Sequence, residues 1–154
     1  MKMKSMQNPY VSLGVQTLLS GVIMYFVMFV MIDTTSSFFN NLNMFYMTLM
    51  MVAPMVVLMI LAMMHMFPSR IANVMLIALS IVAFVGSFAL IRTQTTIGNT
   101  AFVRSMVPHH SGAILMCERA SLTDPELKSL CGEIVKGQQR EIDQMKRILV
   151  RLGQ

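Results

Sequence analysis

Two adjacent histidines, His109 and His110, stand in the run MVPHHSGAILMC with thioethers on both sides: Met106 three and four residues before them, and Met116 seven after His109. Neutral imidazole binds copper, zinc, iron or nickel, and a thioether selects the soft ions Cu(I) and Ag(I). Positions three and four apart share a helical face, so Met106 can act with either histidine. Neighbouring residues point about 100° apart on a helix, so the two rings face different ways. One ring can bind inside the fold while the other reaches a second site or a neighbouring subunit. The competing reading is structural: HH is a common dipeptide, no HExxH or HxH spacing accompanies it, and a histidine pair can simply satisfy carbonyls freed by Pro108.

Further groups fall into register with this run. If the segments on either side of Asp124 form an antiparallel helical hairpin, facing residues have numbers that add to about 248. Cys117 then faces Cys131 and His110 faces Gln138, each two turns from its cysteine. The same seam takes in Met106 on one side and Glu141, Ile142 and Met145 on the other. Glu141 can give a carboxylate oxygen to a harder ion or accept the second N–H of a ligating histidine. Gln138 or Gln139 can serve in that second capacity. Cys117 and Cys131 are the only cysteines. A bridge between them closes a loop of about 15 residues, worth about 3 kcal/mol; the alternative is a pair of small buried core residues.

The elements that must position these groups follow from composition. The chain has 154 residues, 55% of them apolar and 12% charged, with a mean hydropathy of +0.64. That excludes an ordinary soluble domain. From Ser5 to Ile91 the only charges are Asp33 and Arg70, while Arg92 to Gln154 carries 9 basic and 6 acidic residues. The chain therefore reads as an all-α membrane protein in two parts. Residues 1–92 hold three spans, at about 12–32, 44–67 with Pro54 inside, and 71–91, each near the roughly 20 residues a bilayer requires. Residues 93–98 form a polar linker, and 99–154 form the hairpin. Asn99 or Thr100 is placed to cap its first helix. Thr123 and Glu126 form a capping box, with Pro125 in the first turn of the second helix.

Orientation follows from the lysines and arginines of short loops, which stay cytoplasmic. Lys2 and Lys4 precede the first span and Arg70 lies in the second turn, whereas the loop Asp33 to Asn43 has no Lys or Arg. The N-terminus is expected in the cytoplasm and the hairpin on the opposite side, which in a bacterium makes a multi-pass inner-membrane protein with a periplasmic domain. The net charge of +5 comes from groups interleaved with acids, without a basic stripe or stacking aromatics, so nucleic acid is not expected as a partner.

Methionine supplies 19 residues, 16 of them before residue 76. Met47, Met51, Met55, Met59 and Met63 recur every fourth residue in the second span, with Met64-His65-Met66 at its end. Aligned thioethers could pass Cu(I) across a membrane; equally, methionine is an adaptable filler at helix contacts. Nothing in the sequence has the pattern of a Ser-His-Asp or Cys-His nucleophile, a phosphate-binding glycine loop or paired intramembrane carboxylates, so an enzyme is not expected.

The segments AFVRSMVPHHSGAILMCERA and DPELKSLCGEIVKGQQREIDQMKRIL resemble the bacterial "domain of unknown function 305" family. Its signature joins a Met-hydrophobic-Pro-His-His-x-Gly-Ala run to a helix with Gln-x-x-Glu-Ile-x-x-Met. The resemblance covers about Asn99 to Leu152. It implies a ferritin-like helical domain and binding of copper or silver through Met and His. The matching positions are Met106, His109, His110, Met116, Gln138 or Gln139, Glu141 and Met145. Many relatives carry Asp where this chain has Asn99. Four-helix members have two hairpins and this chain one, or half of a ferritin-like four-helix bundle, which implies a homodimer or higher homo-oligomer. The three spans also resemble eukaryotic copper uptake transporters, which use an MxxxM pair in the second of three spans.

The resemblance and the residues together lead to the expectation of a lipid-embedded, periplasm-facing copper- or silver-binding protein for metal homeostasis or tolerance. Cu(I) is the favoured ion, with Ag(I) or Cu(II) as alternatives. The other two readings are a copper-conducting transporter using the methionine stripe and a structural oligomeric anchor without metal.

Overall fold

A computed structural model describes residues 8–153; Lys2 and Lys4, on which the orientation argument draws, lie outside them. The described residues are helical with no strand, and they divide into two units.

The first unit comprises residues up to Phe26 together with Phe45–Gln94. Its helices are α1 (Pro9–Val27), α2 (Leu42–Ala62) and α3 (Arg70–Thr93). With the short 3-10 turn Met28–Met31 counted into the first, all three are long and apolar enough to cross a membrane. The second helix ends at Ala62, five residues earlier than the apolar run suggests. Met64–Met66 forms a 3-10 turn, and Phe67 precedes Pro68, whose ring disfavours helical backbone in the residue before it. Leu13, Val52, Val56, Ile60 and Phe67 form the buried core. Large apolar side chains such as Leu18, Ile71 and Val82 point outward, as expected where lipid is the solvent.

Several inward polar groups of this unit find partners, while Thr17 Oγ1 is buried without one. Ser80 donates to the Leu76 carbonyl at 2.8 Å, the back-bond that suits a hydroxyl inside a helix. Ser69 caps α3 by accepting from the Ala72 N–H at 3.2 Å. The Tyr10 hydroxyl accepts from the Ser69 N–H at 3.0 Å and donates to Asn73 Oδ1 at 3.0 Å. Asn73 in turn donates to the Phe67 carbonyl at 3.1 Å.

The second unit joins Val27–Met44 to residues from Thr95 onward. Its hairpin is α4 (Asn99–Arg119) and α5 (Pro125–Arg151). Gly98 precedes α4 without a side-chain cap, in place of the Asn99 or Thr100 cap expected. For α5 the cap is Asp124, whose Oδ1 accepts from the Leu127 N–H at 2.9 Å, rather than Thr123. Pro125 fixes the first helical residue and so makes its predecessor the cap. The core is Val103, Val107, Ile114, Ile142 and Leu149, with Met145, Val135 and Phe39 packed against it.

Phe39 belongs to the connection between the first two apolar helices. The sequence boundaries assign this stretch to the membrane region, whereas the structure groups Val27–Met44 with the hairpin. The reason is local. Asp33 N–H donates to Ser111 Oγ at 2.8 Å, Asn43 donates to Ser105 Oγ at 3.3 Å, and Lys146 donates to Ser36 Oγ at 3.1 Å. Ser111 and Gly112 are buried in mid-helix. A Cβ added at Gly112 would lie 3.4 Å from the Met31 carbonyl oxygen, so the space there takes a methyl group but nothing larger while the two backbones stay this close.

Candidate functional site

α4 runs unbroken through Pro108 and carries both histidines, which meet different surroundings. His110 is buried, with 8% of its surface exposed, and His109 is exposed. Their rings lie 5.9 Å apart, inclined by 65°, in keeping with the turn between consecutive helical residues.

Both ring nitrogens of His110 are engaged. Nδ1 lies 2.8 Å from the Met106 carbonyl oxygen and Nε2 lies 2.7 Å from Glu141 Oε2. A backbone carbonyl can only accept, so Nδ1 carries a proton and donates it. Nε2 faces a carboxyl oxygen within hydrogen-bond distance. Both ring nitrogens are thus taken up by oxygen partners within the hairpin. Glu141 keeps 57% of its side chain exposed, so one end of the bond is wet while the other sits within the hairpin. The facing register of the two cysteines is observed, and they form a disulfide with Cα atoms 5.2 Å apart. His110, however, reaches Glu141, one turn beyond Gln138 on the same seam.

The remaining candidates meet varied surroundings. Met106 is half-buried and Met116 is exposed. Met145 packs against the hairpin core. Gln138 is half-buried, and Gln139 donates to Asp143 Oδ1 at 3.0 Å across one turn of the surface. Among the described residues no three His, Cys, Asp or Glu side chains gather into a metal-holding group. The donors left outward on α4 are His109 and Met116, with Met106 beside them. In α2, Met47 and Met51 are exposed while Met55, Met59 and Met63 pack against the core of their unit. A repeat of four drifts around a helix of 3.6 residues per turn, so this stripe passes from the outer surface to the interior. His65 is exposed on the 3-10 turn that follows.

Sequence reasoning passed over Ser111 and Gly112. A Ser-Gly pair in mid-helix is costly by propensity, and such a cost in an apolar context is the signal that another backbone comes close.

A family model described as "Domain of unknown function (DUF305)" matches residues 89–153. "Uncharacterized protein L153" of Acanthamoeba polyphaga mimivirus is 37% identical over 112 residues, which cover 71% of this chain and 71% of that protein. The chain belongs to the DUF305 family. No solved structure matches it. The DUF305 match takes in all of α4 and α5 and the end of α3. The alignment with the mimivirus protein is longer than that match, so the likeness runs into the apolar helices as well.

Proposed function

We propose that this DUF305 protein is a membrane-anchored binder of a soft metal ion, Cu(I) or Ag(I), serving metal homeostasis or tolerance. The observation that carries the reading is the outward placement of His109 and Met116 on α4, with Met106 between them and the buried His110. Imidazole and thioether together select soft ions over the harder, oxygen-seeking ones. His110 is a positioning residue here. Its bonds to the Met106 carbonyl and Glu141 hold the turn that bears Met106 and His109 against α5.

Orientation supports a site on the side away from the cytosol. The connection without Lys or Arg, Asp33 to Asn43, belongs to the same unit as the hairpin, and both are expected across the membrane from Arg70. In a bacterium this is an inner-membrane protein whose hairpin faces the periplasm, a compartment that also permits the Cys117–Cys131 bridge.

The test is titration of the detergent-solubilised full chain with Ag(I) and Cu(I), compared with a His109→Ala/Met106→Leu variant. The expected result is at least a tenfold loss of affinity in the variant, with its helical content retained. Equal binding by both proteins refutes the assignment of these donors.

A further inference from the structure

The outward donors of α4 belong to a longer pattern. Phe102, Met106, His109, Ala113 and Met116 are spaced four, three, four and three residues apart, the seam of a heptad repeat. Phe102 is 52% exposed, Met116 is 59% exposed and His109 is exposed. The neighbouring faces of the same helix are already occupied. Val107 and Ile114 belong to the hairpin core, while Ser111 and Gly112 seat the Val27–Met44 connection. Met106 and Ala113 are half-buried, and the exposed edge formed by Phe102, His109 and Met116 is the part of α4 that its own unit leaves open.

Its composition says what fits there. Between Phe102 and Met116 the only charged residue is Arg104, which falls about 160° around the helix from Met106. No like charges therefore oppose one another when two such seams meet. The seam is also symmetrical, with Phe102 and Met116 each seven residues, about 10 Å, from His109. Laid antiparallel, a second copy sets each phenylalanine against the other chain's Met116 and centres both His109 rings. Laid parallel, it stacks each residue on its counterpart. Either sense brings together two His109 imidazoles and the two Met106 thioethers one turn away. Self-complementarity of this kind is what a two-fold interface requires.

We propose that a second copy of this chain docks on the Phe102–Met116 seam of α4 and that the soft-metal site is completed between the copies, with His109 and Met106 contributed by each. The inference rests on the soft-metal reading above and adds its partner. A single chain offers this site one imidazole and its nearby thioethers, because His110 is committed to Met106 O and Glu141. The second copy doubles the set without any change of fold.

The experiment uses the full chain in detergent micelles with Ag(I) alone as the probe, read by native mass spectrometry and equilibrium dialysis. The expected result is one Ag(I) per two chains on a dimeric species. Phe102→Arg leaves every donor in place and alters an exposed side chain, so the fold survives while like charge or bulk enters the seam. It is expected to lower Ag(I) affinity at least tenfold, the scale on which loss of supporting groups weakens metal sites. Mixing wild-type chains with an excess of His109→Ala chains is expected to deplete high-affinity sites beyond simple dilution. One Ag(I) per monomer, unaffected by Phe102→Arg and by mixing, overturns the partner while leaving the soft-metal reading intact. Absence of Ag(I) binding by the wild type overturns both.

Discussion

Replacing His110 and Glu141 by alanine, singly and together, measures what their bond contributes in the absence of metal. A hydrogen bond with an ionised partner is worth about 1.5–3 kcal/mol. Glu141 has 57% of its side chain exposed, and solvent screening brings its share down to about 1 kcal/mol. His110→Ala also removes the bond to the Met106 carbonyl and empties a buried position, so its total cost is about 2–3 kcal/mol. The double variant is expected to cost about 1 kcal/mol less than the two single changes added together. Hydrogen exchange of α4 and α5 amides, read by mass spectrometry on the full chain, reports the opening free energy of these helices. A coupling of about 1 kcal/mol appears as roughly a fivefold departure from additivity in the opening equilibrium. Coupling below about 0.3 kcal/mol, within the usual additivity error, refutes the argument that the pair holds the histidine turn against α5.

The disulfide lines an open cleft of about 390 Å³ at the hairpin turn together with Lys128 and Lys136, so a small reductant reaches it; reduction should destabilise the hairpin by about 3 kcal/mol, and an unchanged melt of α4 and α5 would contradict this. Gly112→Ala should be tolerated, because its Cβ would stand at ordinary contact distance from the Met31 carbonyl. Gly112→Leu should cost about 1–3 kcal/mol and make Val27–Met44 susceptible to proteolysis; equal protease resistance of the two variants counts against the close approach. Ser111→Ala leaves the Asp33 N–H without its acceptor and should cost about 1–3 kcal/mol, seen as faster exchange at Asp33. Replacing Met55, Met59 and Met63 together by leucine should leave Ag(I) stoichiometry unchanged if these side chains are packing, and a lost equivalent would restore them as ligands.

The three apolar helices were legible because charge is nearly absent over some ninety residues, and burial of a helix in lipid needs no finer pattern. The hairpin was legible from Pro125 at the start of its second helix and from Cys117 and Cys131, whose facing positions follow from helix rise alone. Where the reading slipped, local sterics or a distant contact decided. Pro125 moved the cap of α5 from Thr123 to Asp124, and Pro68 with its neighbours shortened α2. The reach of a histidine side chain selected Glu141 over Gln138, a choice of one turn that residue spacing cannot make. The seating of Val27–Met44 on Ser111 and Gly112 depends on contacts nearly eighty residues apart in sequence, and no period in the chain announces it.

That seating has a consequence for anyone wishing to lift the hairpin out of the protein. The polypeptide passes between its two units at residues 26–27, 44–45 and 94–95, so the DUF305 segment is sewn in rather than appended. A fragment beginning at Asn99 would lose Phe39 from its core and the backbone that fills the hollow at Gly112. A water-soluble version therefore calls for keeping the Val27–Met44 stretch and joining Met44 to Thr95 by a linker in place of the second and third apolar helices.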